Sequence, residues 1–330
     1  MEILKIEGLC KSFELPCTLL ARIKNWFGRG KLPFLRALNN VTFSAYSEET
    51  LGILGESGSG KSTLARVLMG IITPDSGKAN LAGDDLFASS AKMRLNNLRR
   101  MQMVFQDPFS SLDPRQSIFQ ILAEPLRIHG ISPKEGLKNK IAAVLNEVGL
   151  ETGILDRYPA EFSGGQRQRI CISRALLLDP EILIADEAVS ALDVSVQAQI
   201  LELFVSLKKK RGLTLIFISH DVAVIRQLSD RILVFFKGAP VEIMPSDCLL
   251  SDAVHPYSKN LLKDALHLRE GITGNTEASE FSVKNRSDLS SGCAFFNRCN
   301  DSDDKCLNSA APVLSEIHTG HFAACWKVKK

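Results

Sequence analysis

The octapeptide Gly55-Glu56-Ser57-Gly58-Ser59-Gly60-Lys61-Ser62 follows the apolar run 51–54 directly and leads into a helical pattern. No other segment restricts the possible folds of this chain as strongly. The spacing is G-x-x-x-x-G-K-[ST]. Its glycines let backbone N–H groups turn toward phosphate oxygens, its lysine reaches the β- and γ-phosphates, and its terminal hydroxyl is an oxygen donor for Mg²⁺. A helix opening at Lys61 adds the positive end of its dipole. At ordinary residue usage such a match arises by chance in roughly one chain of this size in a hundred. A position between a strand and a helix makes chance a weaker explanation still. The candidate nucleotide-binding set here is Gly55, Glu56, Ser57, Gly58, Ser59, Gly60, Lys61, Ser62 and Thr63.

A strand over 51–55 and a helix over 61–70 therefore form the first βα unit. Further apolar strands are expected at Ile182–Asp186, Thr214–Ser219 and Arg231–Phe236, each bounded by turn or charged residues. Apolar strands separated by helices imply an α/β fold with a mostly parallel sheet covered on both faces. Between residues 107 and 162 the pattern turns helical, as at 117–128 and 139–148, with breaks at Pro125, Gly130, Pro133 and Gly136. This reads as a helical subdomain, about residues 107–168, inserted into a sheet domain. Residues 271–292 are polar and aperiodic, as a linker is. Residues 19–36 hold Arg22, Lys24, Arg29, Lys31 and Arg36 with Trp26, Phe27 and Phe34 and no acid, and read as a solvated surface insertion, with contact to a membrane surface or an acidic partner as the alternative.

The composition leaves this reading intact. The chain has 330 residues, 45% hydrophobic and 23% charged, enough for one large domain and a smaller one. A net charge of +3 lacks the basic stripe of a nucleic-acid binder, so no nucleic-acid partner is expected. The first seven residues carry acids and no apolar core, unlike a secretory signal, and no run of 18 apolar residues marks a membrane span. Eight cysteines in such a chain point to a reducing cytoplasm.

The strand Ile182–Asp186 ends in two carboxylates, Asp186 and Glu187. A nucleotide hydrolase needs one acid for Mg²⁺ and another to polarise water, and these roles fall to Asp186 and Glu187 respectively. Ser163-Gly164-Gly165-Gln166 places a serine cap and two glycines at a helix start, which makes a second anion site.

With these elements the chain resembles the ATP-binding cassette family over nearly its whole length. The resemblance implies a RecA-like P-loop NTPase cassette over residues 1–250 and an extension over 251–330. It also implies that Phe13 stacks on adenine, that Gln106 senses Mg²⁺ and the membrane partner, and that Ser190-Ala191-Leu192-Asp193 is the dimer-contact loop. His220 takes the place of the γ-phosphate switch. Two cassettes would face each other head to tail, so that Ser163, Gly164, Gly165 and Gln166 of one close over ATP held by the other. Two departures stand out: Ala188 replaces the usual proline, which loosens the turn after Glu187, and Glu48 replaces the usual glycine.

Residues 104–115, 161–169 and 191–199, with His255-Pro256-Tyr257, resemble the ATPases of oligopeptide, dipeptide and nickel importers. That resemblance implies ATP hydrolysis at the cytoplasmic face of the inner membrane and integral-membrane permease subunits as partners. It further implies a second ATPase subunit and an extracytoplasmic substrate-binding protein. Nickel or another small solute is the nearest alternative cargo. A soluble cassette acting on ribosomes or DNA, and a regulator that binds ATP without cutting it, are the more distant readings.

The last 38 residues hold Cys293, Cys299, Cys306 and Cys325, separated by five, six and eighteen residues. This spacing lacks the paired C-x₂-C of zinc ribbons, although four thiolates gathered in a fold suit [4Fe–4S] or Zn²⁺. The resemblance to peptide-importer ATPases implies the iron–sulfur cluster.

Overall fold

The computed structural model describes residues 1–15, 34–88, 90–131, 136–269 and 292–328, the side chains of 266–269 excepted. Along them run β1 (Glu2–Glu14), β2 (Phe34–Tyr46), β3 (Thr50–Leu54), α1 (Lys61–Leu68), β4 (Ser76–Leu81), β5 (Asp84–Asp85), α2 (Ala91–Arg100), β6 (Met101–Val104), α3 (Ile118–Ile128) and α4 (Leu137–Glu147). There follow α5 (Gly164–Leu176), β7 (Ile182–Asp186), α6 (Val194–Arg211), β8 (Thr214–Ser219), α7 (Val222–Leu228), β9 (Arg231–Phe236), β10 (Ala239–Pro245), α8 (Pro256–Arg269), α9 (Asp304–Asn308), β11 (Ser315–His318) and β12 (His321–Ala323). The basic segment 19–33, Cys17, Pro133 and the polar stretch 271–291 lie outside the described residues.

Two compact units emerge. The first comprises residues 1–4, 45–53 and 80–232, and the second residues 5–44, 54–79 and 233–330.

In the first unit the strand order is β3-β8-β7-β6. β6, β7 and β8 are parallel, with Met101 opposite Ile182 and Ile182 opposite Thr214. Ile182–Asp186 and Thr214–Ser219 are buried along their whole length, as apolar strands covered on both faces must be. Helix α5 is central to this unit, packing against α3, α4, α6 and β6 through a face that includes Ile170, Cys171, Ile172, Ala175 and Leu176. Burial pushes the Cys171 thiol up to about 11, so it behaves as a neutral core residue.

Pro125 does not interrupt its helix: α3 runs through it. A proline removes one intrahelical donor. Against that loss stand a Ser117–Gln120 capping box and five buried side chains, Ile118, Ile121, Leu122, Ala123 and Leu126. Glu48 shows why glycine is usual at its position, since its φ is +63°. Its N–H donates to Thr214 Oγ1 over 3.0 Å.

In the second unit one sheet has the order β2-β1-β4, and another the order β11-β12-β10-β9. β10–β12 and β11–β12 are antiparallel, with Glu242 opposite Ala323 and Ser315 opposite Ala323. Phe34, Leu35 and Arg36 open β2 instead of belonging to a surface insertion, although all three side chains stay exposed. Backbone pairing holds them, and backbone pairing leaves no mark in a charge pattern. An aromatic cluster forms this unit's core where Phe236 meets Tyr257 at 4.4 Å and Phe295 at 5.3 Å between ring centroids.

Candidate nucleotide site

The glycine loop Gly55 to Ser62 lies in the second unit. Its backbone turns at Gly60, whose φ is +106°, and a Cβ there would stand 2.4 Å from Ala37 O. Only glycine permits both the conformation and the approach. Lys61 is buried at the first position of α1, and its Nζ donates to Gly55 O at 2.7 Å and to Glu56 O at 2.9 Å. Ser59 O accepts from Gly238 N–H at 2.7 Å, tying the loop to the turn after β9. Ser62 and Thr63 occupy the first turn of α1. Phe13, on β1, is partly exposed, with Lys11 Nζ 5.6 Å from its ring centroid.

The second residue of the loop is held more tightly than its sequence suggests. Glu56 N–H donates to Tyr257 Oη at 2.9 Å, and the Glu56 carboxylate takes two bonds from Arg298, at 2.7 and 2.9 Å. Neither Tyr257 nor Arg298 stands out as a nucleotide-site residue by motif. The one visible signal was the placement of Tyr257 in His255-Pro256-Tyr257.

The acidic pair lies in the first unit. Asp186 ends β7 and is buried, and Glu187 follows with φ +48°. A non-glycine residue in that region costs on the order of 1–3 kcal/mol and persists only where its surroundings hold it. Here Glu187 N–H donates to Ile218 O at 3.0 Å, and Glu187 O accepts from Ser190 N–H at 3.1 Å and Ser190 Oγ at 2.9 Å. The turn is thus closed by Ser190 although Ala188 replaces the rigidifying proline. Gln106 Nε2 donates to Glu187 Oε2 at 2.9 Å, and His220 Nδ1 lies 3.3 Å from Oε1. Gln106 and His220 therefore converge on one carboxylate, that of Glu187.

Ser163 caps α5. Its Oγ accepts from Gln166 N–H, and its own N–H donates to Gln166 Oε1 at 3.0 Å, a reciprocal capping box. One N-terminal donor of α5 is therefore already used inside the protein. Gly165 serves a packing need: a Cβ there would stand 2.5 Å from Val196 Cγ1. Asp193 caps α6 through Val196 N–H at 3.0 Å, so the loop 190–193 is anchored at its end. The loop after Gln106 is knotted by Asp107, whose Oδ1 accepts from Phe109 N–H at 2.8 Å. It is fastened to α5, where the Arg167 guanidinium sits 4.1 Å from the Phe109 ring centroid and Arg174 donates to Ser111 O at 2.6 Å.

The four C-terminal cysteines lie in the second unit as free thiols. Cys293 N–H donates to Cys306 O at 2.8 Å. Burial pushes the Cys293 thiol up to about 11, with Cys325, Cys306 and Cys299 adding to the effect, and burial also raises Cys299 and Cys306. Among the described residues no group of three or more His, Cys, Asp or Glu side chains is placed to hold a metal ion. The thiols share a neighbourhood, but they do not form the ligand set expected from their count. Backbone hydrogen bonds organise the segment, and burial raises three of the thiols.

The comparisons with known proteins agree with this arrangement. The ABC transporter family matches residues 38–190, and the family described as oligopeptide/dipeptide transporter, C-terminal region, matches residues 241–306. The chain is 43% identical over 298 residues to the oligopeptide transport ATP-binding protein OppF of Haemophilus influenzae, covering 89% of each chain. It is 41% identical to the putative oligopeptide transport ATP-binding protein YkfD of Bacillus subtilis, covering 94% of this chain and 95% of that one. Among solved structures, a dimeric post-hydrolysis state of an ATP-binding cassette bound to ADP and Pi superposes with a TM-score of 0.63 at 24% identity, over 74% of this chain and 99% of that one. That last likeness concerns the fold. A G-x-x-x-x-G-K-S loop at a helix start, a strand ending in Asp186-Glu187, a capped Ser-Gly-Gly-Gln helix and relatives matched along most of their length all lead to one conclusion: the chain belongs to the ATP-binding cassette transporter ATPases, in the branch that carries the oligopeptide/dipeptide C-terminal region.

Proposed function

We propose that this chain is the ATP-hydrolysing subunit of a peptide importer. The observation that carries the hydrolytic role is the Glu187 carboxylate held between Gln106 Nε2 and His220 Nδ1 at the end of a buried strand. The peptide cargo is supported by the relatives named as oligopeptide transport ATP-binding proteins.

In this reading the Gly55 to Thr63 loop receives the phosphates through its N–H groups, with Lys61 moving its ammonium from the loop carbonyls toward the β- and γ-oxygens. Phe13 offers a face for the base. Ser62 and Asp186 each offer an oxygen to Mg²⁺, and Gln106 a third; such donors suit a hard cation that keeps waters and binds through few protein oxygens. When bound, Mg²⁺ neutralises charge on the β- and γ-phosphates. Glu187 accepts a hydrogen bond from the attacking water and orients it, and His220 fixes the carboxylate and donates toward the γ-phosphate. Ser163, Gly164, Gly165 and Gln166 close over ATP held by a second ATPase subunit, excluding water from the reacting phosphate.

The cassette spans residues 1–250, with its helical subdomain at about 107–168, and residues 251–330 form the extension. Among the described residues no helix is long and apolar enough to cross a membrane. The chain works as a peripheral subunit at the cytoplasmic face of the inner membrane, beneath integral-membrane permease subunits that the loop around Gln106 contacts. An extracytoplasmic substrate-binding protein delivers the peptide. The [4Fe–4S] cluster in the cysteine tail rests on the resemblance and on the shared neighbourhood of the four thiols, against the lack of a formed ligand set; iron and sulfide content of the purified chain tests it.

The deciding experiment for cargo is uptake of a labelled tripeptide, with labelled nickel in parallel, in cells carrying either the natural chain or Lys61→Ala. Loss of peptide uptake alone supports the proposal, whereas loss of nickel uptake alone assigns the cargo to the metal.

A further inference from the structure

We infer that Tyr257 and Arg298, both from the C-terminal extension, are positioning residues for the phosphate loop: they hold Glu56 by its backbone and its side chain and so set the geometry in which that loop meets ATP. The inference rests on the proposed role of the Gly55 to Thr63 loop as the ATP cradle.

Glu56 is held at three points. Its N–H donates to Tyr257 Oη at 2.9 Å, its carbonyl accepts from Lys61 Nζ at 2.9 Å, and its carboxylate receives the Arg298 fork, Nη2 to Oε1 at 2.7 Å and Nη1 to Oε2 at 2.9 Å. Two of the three holders come from the extension, at sequence separations of 201 and 242 residues. The third is the lysine that must reach the phosphates.

The holders are themselves held. Tyr257 is fully buried against Phe236 and Phe295. Its N–H donates to His255 Nδ1 at 3.1 Å, while Val254 and His255 N–H groups donate to the buried Glu242 carboxylate at 2.7 and 3.1 Å. The Arg298 guanidinium lies 5.7 Å from the Phe236 ring centroid and 5.6 Å from that of Phe295. A side chain locked by packing and outer hydrogen bonds fixes its partner within a fraction of an ångström, which is what positioning requires.

Magnitudes argue against a stability role for the ion pair. The Arg298 and Glu56 side chains are 39% and 38% exposed, and pairs so open to solvent contribute at most about 1 kcal/mol. A bidentate fork is, however, directional. The pair also cancels a negative charge on a loop that must receive a polyanion. Without Arg298 the Glu56 carboxylate repels the phosphates, and its peptide, which carries the carbonyl that engages Lys61, keeps only the Tyr257 bond from the extension.

The experiment uses the full chain and reads the Kd for MgATP by calorimetry together with Tm. Arg298→Ala is expected to raise the Kd about tenfold with Tm within about 3 °C of the natural chain. Arg298→Lys should recover part of the loss, because it restores charge without the fork. Tyr257→Phe should raise the Kd about threefold. In a Glu56→Gln background, Arg298→Ala should change the Kd less than twofold, because the charge and the second acceptor of the fork are already gone. An unchanged Kd in both Arg298→Ala and Tyr257→Phe overturns the inference, and so does a loss that is the same size in the Glu56→Gln background. If the natural chain itself binds no MgATP, and Lys61→Ala therefore changes nothing, the ATP reading fails and this inference with it. Should Arg298→Ala not fold, Arg298→Gln and Tyr257→Phe carry the same test.

Discussion

Gln106 Nε2 reaches Glu187 Oε2 over 2.9 Å although 81 residues separate the two in sequence. The bond holds the carboxylate on one side while His220 Nδ1 stands 3.3 Å from the other oxygen. The Glu187 side chain is only 13% exposed, against 51% for His220. A carboxylate with one contact on each oxygen keeps further acceptor capacity on both, which is what orienting a water requires. Replacing Glu187 by Gln preserves shape and removes the negative charge. ATP turnover is expected to fall by about 10²- to 10⁴-fold, while the Kd for MgATP changes less than threefold. Steady-state ATPase assays of the assembled transporter beside nucleotide binding to the same variant check this, and a variant that still turns over at a tenth of the natural rate would exclude Glu187 as the water-orienting acid.

The start of α5, proposed above to close over ATP, is also a packing constraint. A methyl group on Gly165 would stand 2.5 Å from Val196 Cγ1, and overpacking of this kind costs typically 1–3 kcal/mol. Gly165→Ala should therefore lower stability by about that amount and displace the start of α6. Val196→Ala opens the space, so the double variant is expected to recover most of the loss. Denaturant unfolding of the two single variants and the double variant measures it. Additive losses would show that the contact is not the cause.

How much of this was legible in the residues follows from the kind of signal each part leaves. The strands Ile182–Asp186, Thr214–Ser219 and Arg231–Phe236 were readable residue by residue because a fully buried strand is an unbroken apolar run. Helix α3 was readable from its helical pattern over 117–128, yet the passage of the helix through Pro125 was not, since the capping box and the packing that offset a missing donor show only in the fold. The strands β1 and β2 escaped notice because their mixed polar surfaces resemble loops. The phosphate loop announced itself by spacing. Its clamp by Tyr257 and Arg298 did not, because no local pattern encodes a contact across 201 or 242 residues. The four cysteines are the opposite case, a conspicuous count that the described residues do not gather into a ligand set.

Glu242 lies fully buried on β10 and accepts from Val254 N–H at 2.7 Å, His255 N–H at 3.1 Å and His321 Nε2 at 2.8 Å. An ionised carboxylate only accepts, so with Glu242 ionised His321 Nε2 is the donor of this pair. Removing the carboxylate strands two backbone donors and an imidazole without water. Glu242→Leu is expected to destabilise by about 3–5 kcal/mol, lowering Tm and loosening β12 from β10, as hydrogen exchange at Ala323 would report. A Tm within 1 °C of the natural chain would mean that water reaches these groups.

His255 gives the fold a pH dependence whose sign is fixed by one hydrogen bond. Its Nδ1 accepts from Tyr257 N–H at 3.1 Å, so that nitrogen carries no proton in the folded chain. Burial lowers its pKa from 6.5 to about 4. In the unfolded chain the ring regains its ordinary value and binds a proton more readily, so the unfolded state gains protons first as the pH drops. The stabilisation is complete above about pH 6.5, is lost as the pH falls from there through 4, and changes no further below. A shift of that size corresponds to about 3 kcal/mol. The ring sits two residues before Tyr257, so protonating Nδ1 also removes the acceptor that fixes the backbone carrying the Glu56 contact. His255→Gln retains polarity without titrating and should flatten the fall in unfolding free energy between pH 6.5 and 4.5 relative to the natural chain. The difference between the two denaturation series isolates this ring from the carboxylates that titrate in the same range. Parallel curves would mean that His255 is protonated in the fold, which the Tyr257 bond forbids.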